Sequence, residues 1–487
     1  MSWKAQTLGE VLASRQGEAL VTRLGRFTYP QLFETAKGAA GAMQAMGIGR
    51  GDHVGILMGN DEKWLSLFYG AALIGAVIVP VNTRLKSDEI RYCIEQADCE
   101  VLFYVERFLS IDFAPMVRGL NIRKAEVSRA VPQGKFLPVK VEPDDLLLIQ
   151  FTSGTTAHPK GAMLTHDNML RDAWAAGTRV GIRADDRYFN CRPFFHVAGS
   201  TLSALMALVA GSCLVTLPSF EAGAALELME RERCTLVSGN DTIFQMLMGH
   251  EDFPTRKLSL RGGWAAAGPQ TMRRIIDVLG AKAICAAYGL SEASPNVVMS
   301  DWRDPEELRV NGLPKPHDGV EVRIQDGEIQ VRGWNVMKGY YNNPEANAKA
   351  FTADGWLRTG DLGELTAEGR LRMVGRLKDV FRVGGENVAP AEVEEVLLAH
   401  PAVETAQVIG VPDARLGEVP CAYVTLKSGA RATESELVAW TKDKCANFRV
   451  PRYLRIVADF ESIGMTASGK VQKTRLREHA VREFKLG

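Results

Sequence analysis

Residues Thr152 to Gly161 read TSGTTAHPKG and directly follow the apolar run Leu146 to Phe151. The hydroxyls of Thr152, Ser153, Thr155 and Thr156, together with Gly154 and Lys160, therefore leave the end of an expected strand in one group. Glycine lets backbone N–H groups turn toward an anion, hydroxyls add donors and an ammonium supplies charge, so the combination suits a phosphate cradle. A Walker A loop would need glycine at 159 and a hydroxyl residue at 161, where this chain has Pro159 and Gly161, which argues against a P-loop kinase or phosphatase. A plain turn is the competing reading, and an unbroken run of such residues disfavours it. A second group with chemical potential, His196, stands alone in the aromatic and apolar run Phe194 to Val197. Taken by itself, such a histidine reads as a satisfied core residue.

The segments around these residues alternate between strand and helix patterns. Apolar runs at Val54 to Met58, up to Val81 and from Val101 are separated by helical stretches beginning at Asp61 and Ser87. The alternation resumes with runs at Leu146 to Phe151, Leu214 to Leu217, Thr235 to Ser238 and Ala283 to Ala286, which predicts parallel strands with crossover helices. From Val320 to Arg332 the period becomes two, and Asp326-Gly327 marks an antiparallel hairpin. Beyond Arg376 a helix from Ala391, strands at Ala406 to Val411 and Ala422 to Leu426, and a helix from Ser435 predict a smaller α+β unit.

At 487 residues the chain is too long for one ordinary core and suggests roughly three units of about 150 residues each. Fifty-eight Lys+Arg balance fifty-eight Asp+Glu. That balance argues against a dedicated binder of nucleic acid or anionic membrane, though not against a local phosphate site. The basic surplus is confined to Lys442 to Lys485, with eleven Lys/Arg against five Asp/Glu. The eight cysteines show no CxxC spacing and read as reduced core thiols. With no apolar signal core at the N-terminus, the cytoplasm is the expected compartment. The apolar stretches Trp64 to Val81 and Thr201 to Leu217 contain glycine or proline and split into helix plus strand, so no membrane span is expected.

Six segments in order carry a resemblance: TSGTTAHPKG, FFHVAGS (Phe194 to Ser200), YGLSEAS (Tyr288 to Ser294), GWLRTGD (Gly355 to Asp361), GRLKDVFRVGGENVAPAEVEEVL (Gly375 to Leu397) and MTASGKVQKTRLRE (Met465 to Glu478). Together they resemble the adenylate-forming superfamily of acyl-CoA synthetases, luciferases and nonribosomal-peptide adenylation domains. The resemblance implies an α/β fold: a large N-terminal composite domain of mixed, largely parallel sheets with flanking helices and a small β-barrel-like part, then a small mobile α+β C-terminal domain. The expected domains are 1–375 and 376–487, with a hinge at Lys378.

The same resemblance implies the roles. Thr152, Ser153, Gly154, Thr155, Thr156 and Lys160 would hold the phosphates of ATP, with Thr155 also counted as catalytic. Ala266, Ala267, Gly268, Tyr288, Gly289, Leu290 and Ser291 would border the adenine and nucleotide, Asp361 would accept from the ribose hydroxyls, and Arg376 would add a donor. Glu292 would hold Mg2+. His196, in the family pattern, would lie between nucleotide and acyl group, with Val197, Ala198, Asp241, Trp264, Gly289 and Ser294 near the acid. Lys470 would stabilise charge as a carboxylate attacks the α-phosphate, and Gly384 and Gly385 would line the coenzyme A channel.

Three departures from the family pattern are Ala157 for a glycine, Gly464 for a proline, and Ser238-Gly239-Asn240-Asp241 in place of an apolar, proline-containing segment. The expected activity is ATP-dependent acid–CoA ligation through an acyl-adenylate, weakly favouring an aromatic or short-to-medium-chain acid. Ligation to a carrier-protein thiol, or a nucleotide-binding regulatory role without catalysis, are the alternatives. The expected partners are a small carboxylate, ATP and CoA, without nucleic acid, and a homodimer stays open.

Overall fold

A computed structural model describes residues 3–152, 159–465 and 471–486. The chain divides into two compact units, one of Met1–Val322 with Val331–Leu357, the other of Arg323–Gln330 with Arg358–Gly487. Among the described residues the first unit carries a nine-stranded and a six-stranded sheet.

The middle of the nine-stranded sheet is parallel: Ala283–Gly289, Gly262–Ala266, Leu236–Asn240, Arg187–Asn190, Cys213–Thr216 and Glu18–Val21 lie side by side. Side chains alternate across a pleat, and here both faces are covered. Tyr188, Leu214, Leu236, Trp264 and Cys285 enter one apolar core. Their neighbours Phe189, Val215, Val237, Ala265 and Ile284 enter the other. The six-stranded sheet is parallel through Val77–Pro80, His53–Leu57 and Cys99–Tyr104, with Lys160–Thr165 pairing antiparallel to Leu146–Thr152.

The expected alternation appears, with two additions. Gly262–Ala266 and Arg187–Asn190 are central strands that no apolar run announced, because one begins with two glycines and the other reads RYFN. Gly263 is required by close approach: at φ +137° a Cβ would sit 1.7 Å from the Val237 carbonyl oxygen of the next strand. Both suspected apolar stretches resolve into helix plus strand, Glu62–Ile74 with Val77–Pro80, and Met206–Ala210 with Cys213–Thr216. Among the described residues no helix is long and apolar enough to cross a membrane. All eight cysteines are free, and seven of them are buried.

The part expected to be barrel-like takes the form of a four-stranded sheet in the order Val320–Gln325, Glu328–Gly333, Leu357–Leu365, Leu371–Arg376. Its hairpin turns at Asp326 and Gly327, both with positive φ, as a two-residue turn matching strand twist demands. The rest of the second unit is a five-stranded sheet, dominated by the antiparallel pair Val403–Asp413 and Gly417–Leu426, with the helices Pro390–Leu398, Glu434–Lys442 and Lys473–Glu483.

Two histidines in the first unit are buried without charge. His166 starts the helix His166–Val180, and its Nδ1 accepts from the Leu8 N–H at 3.1 Å. Burial lowers it to about 4, and lowers His317 to about 3. A depressed histidine is neutral in the folded chain but protonates in the unfolded chain near its ordinary value of 6.5. Their stabilising contribution is therefore complete above about 6.5 and falls as pH drops toward 4 and then 3. Chemical denaturation across this window should show stability declining with acidity, and His166→Gln should flatten the slope; an unchanged slope would contradict the burial argument.

Candidate active site

The strand Leu146–Thr152 ends where the hydroxyl-rich loop begins, and Lys160 opens the returning strand directly opposite Thr152. Ser153, Gly154, Thr155, Thr156 and Ala157 lie outside the described residues, as does Lys470. Thr152 Oγ1 donates to Glu292 Oε1 at 3.2 Å, joining the loop to the Tyr288–Ser294 segment. The same oxygen accepts from the Tyr340 phenol at 2.9 Å, and Lys160 Nζ lies 5.2 Å from the centre of the Tyr340 ring. Two hydroxyls thus fix one oxygen of Glu292, while Oε2 has no partner among the described residues.

Tyr340 was not expected from the sequence. Its position comes from Tyr341 N donating to the Gly161 carbonyl at 2.8 Å and Met163 N to that of Gly339 at 2.9 Å, which lays residues 339–341 along the Lys160 strand. Asn347 grips Tyr340 at both backbone groups, accepting from its N–H at 2.6 Å and donating to its carbonyl at 3.0 Å. Burial, and then the Glu292 carboxylate, hold the phenol well above its ordinary range, so it remains a donor. The sequence signal, Gly339-Tyr340-Tyr341 ahead of a helix beginning at Pro344, reads only as turn chemistry.

Tyr288 and Gly289 close the strand Ala283–Gly289 and are followed by Leu290 and the short turn Ser291–Ala293 that carries Glu292. Gly289 tolerates no side chain, since a Cβ would lie 1.9 Å from the Pro295 carbonyl oxygen. Ser294 is fully buried and donates to the Asn335 carbonyl at 2.7 Å. At the end of Gly262–Ala266, Ala266 and Gly268 are exposed. Asp241 Oδ1 accepts from the Gly268 N–H at 3.1 Å, and burial raises this carboxyl while Thr271 and Gly268 pull it back. Asp241 therefore ties its own helix to the start of Pro269–Asp277.

His196 is exposed, unlike a core histidine, and caps the short helix Val197–Gly199 by accepting at Nδ1 from the Ala198 N–H at 3.1 Å. In the neutral ring the proton is thereby assigned to Nε2. Val197 and Ala198 are buried, and the chain continues into a π-helix, Ser200–Leu205, a geometry often found beside functional sites. Trp264 is buried, with its indole N–H donating to the Tyr188 hydroxyl at 3.0 Å. One face of its ring is covered by the Arg192 guanidinium, 4.7 Å from the ring centre.

In the second unit Asp361 and Arg376 face each other across the antiparallel ladder Leu357–Leu365 and Leu371–Arg376, with Arg376 Nε 3.2 Å from Asp361 Oδ1. Asp361 is buried, so the guanidinium orients the carboxylate. Lys378 is exposed on the turn Leu377–Asp379. Gly384 and Gly385, with φ of +59° and +99°, form the two-residue turn between Phe381–Val383 and Glu386–Val388; the turn alone demands glycine-like conformations. Gly464 has φ +131°, which proline cannot adopt, so this departure follows from local backbone geometry.

Residues 11–341 match the AMP-binding enzyme model, and residues 392–470 match the AMP-binding enzyme C-terminal domain. The chain belongs to the AMP-binding enzyme family. It is similar to a methyl-dioxo-octahydro-indenyl-propanoyl:CoA ligase of Mycobacterium tuberculosis, 36% identical with 94% of this chain and 95% of the relative covered. It is also similar to the mitochondrial medium-chain acyl-CoA ligase ACSF2 of Mus musculus, 31% identical with 95% and 84% covered. Among solved structures, the anthranilate CoA ligase AuaEII in complex with anthranoyl-AMP superposes with a TM-score of 0.90 at 26% identity, over 99% of this chain and 98% of the other. This family member is an AMP-forming acid–CoA ligase that uses ATP and CoA.

Because Tyr340 is one of two donors on the Glu292 oxygen, Tyr340→Phe should raise the KM for ATP about tenfold with little loss of stability. Steady-state AMP release together with thermal unfolding checks this; an unchanged KM would leave Tyr340 a packing residue only.

Proposed function

We propose that this ligase activates an aromatic or short-to-medium-chain acid, and that its residues act in the order the reaction requires. A carboxylate attacks the α-phosphate of ATP to give acyl-AMP and pyrophosphate, and the CoA thiol then attacks the acyl carbonyl and releases AMP. Neither step calls for a protein nucleophile, so catalysis rests on positioning and charge stabilisation. The observation that carries the site assignment is the pair of hydroxyls, from Thr152 and Tyr340, on one oxygen of Glu292. It supports a carboxylate set for a divalent cation, because its second oxygen is left for the ligand. Mg2+ would be held there by one carboxylate, phosphates and water. Bound there, Mg2+ would neutralise phosphate charge.

Thr152 and Lys160 flank the phosphate loop, Asp361 is the acceptor for ribose hydroxyls with its carboxylate oriented by Arg376, and Tyr288 and Gly289 border the base. His196 Nε2–H faces the reacting groups from the capped turn. Lys470 places an ammonium between the two anions of the adenylation step, and a hinge at Lys378, between domains 1–375 and 376–487, then brings Gly384 and Gly385 to the thiol. Of the two acid classes, the covered face of Trp264 favours the short-to-medium-chain acid. Free cysteines support a reducing compartment, the cytoplasm.

The roles are separable by half-reaction. Lys470→Ala should abolish acid-dependent pyrophosphate exchange while retaining thioester formation from supplied acyl-adenylate; equal loss of both halves would remove the assigned role. Gly384→Trp should do the reverse, and undiminished CoA ligation in that variant would remove the channel.

A further inference from the structure

Arg192 follows the parallel strand Arg187–Asn190, at the carboxyl end of the nine-stranded sheet, where open α/β sheets bind ligands. Its backbone is pinned on both sides. The N–H donates to Asn190 Oδ1 at 3.0 Å, and the carbonyl accepts from Asn60 Nδ2 and Asn190 Nδ2, each at 2.8 Å. The side chain is half-buried and its guanidinium carbon stands over the Trp264 ring, 4.7 Å from the ring centre, and Trp264 is itself anchored to Tyr188. Its Nε is buried without a hydrogen-bond partner, and no carboxylate among the described residues pairs with it. Cys191, next in the chain, offers no counter-charge, because burial pushes its thiol up to about 11.

A guanidinium drawn partly out of water without a counter-ion is unfavourable, and stacking on an indole returns only part of the loss. A guanidinium over a ring face still presents its terminal N–H groups in the fork that matches a carboxylate. Four residues later comes His196, and Trp264 shares its apolar core with Val197 and Ala198. The group that reaches Arg192 is therefore part of the acid.

We infer that Arg192 reads a second carboxylate, at the end of the acid remote from the one adenylated, so that this ligase prefers short-to-medium dicarboxylic acids. The inference rests on the acid–CoA ligase reading and on the acid entering beside His196.

The test compares straight-chain dicarboxylic acids with the monomethyl esters of the same acids, and with monocarboxylic acids of equal length, by AMP release in the full-length wild-type enzyme. The diacid should exceed its own monoester in kcat/KM. Arg192→Met should lower kcat/KM for the diacid by about ten- to a hundredfold, chiefly through KM, while the monoester and the KM for ATP stay unchanged. Arg192→Lys, which keeps the charge and loses the fork, should fall between. A wild-type enzyme that turns over monoacids or monoesters better than diacids overturns the inference without any variant and leaves the ligase reading intact. So does an unchanged diacid-to-monoester ratio in Arg192→Met. Absence of AMP release with every acid would instead overturn the ligase reading, and this inference with it.

Discussion

A parallel strand buried on both faces has no room for an unpaired polar side chain along its length, so its chemistry must gather beyond its carboxyl end. The nine-stranded sheet shows the consequence. Tyr188 and Phe189, Leu236 and Val237, Trp264 and Ala265 divide between two apolar cores, and the candidate site residues follow at or beyond the strand ends: Arg192 and His196, Asn240 and Asp241, Ala266 to Gly268, and Tyr288 to Glu292. The few polar groups that remain inside are tied to one another, as Trp264 is to Tyr188 and Tyr188 to Ser238. Burial of the sheet thus gathers the candidate site residues of this sheet at one end of its strands before any ligand is considered.

Within each unit, positioning relies on direct contacts between neighbouring groups. A hydroxyl from one strand end and a phenol from a segment laid along the returning strand meet on a single carboxylate oxygen. Glycines stand where backbone crosses backbone, at Gly263 against Val237 and at Gly289 against Pro295, so strands and turns approach more closely than any side chain allows. In the second unit an antiparallel rung sets Asp361 opposite Arg376, and the resulting charge-assisted contact holds a buried carboxylate in one orientation. Each device removes motion from a polar group that would otherwise have to be ordered when substrate binds.

Much of this was legible because the relevant patterns are local. The period-two hairpin at 320–333, the helix starts at Asp61 and Ser87, and the six ordered motifs are read within a few residues of chain. The strands Arg187–Asn190 and Gly262–Ala266 escaped because their pairing, not their composition, makes them strands. Tyr340 escaped for the same reason: it lies 48 residues from the carboxylate it touches. Asp241 has a structural tie that the sequence did not show: its carboxylate accepts from the Gly268 N–H and so joins two helix starts.

By itself the sequence determined the class of chemistry, because six motifs of fixed residue types stand in order along the chain. It also determined the alternation of strand and helix, since hydrophobic period follows directly from backbone geometry. Only the tertiary structure decided which side chains share an atom or a ring face: Thr152 and Tyr340 on Glu292, Arg376 on Asp361, and Arg192 on Trp264. The physical reason is range. Backbone preference acts over a few residues, whereas hydrogen bonds, ion pairs and ring stacking depend on distances in space that only the folded chain sets.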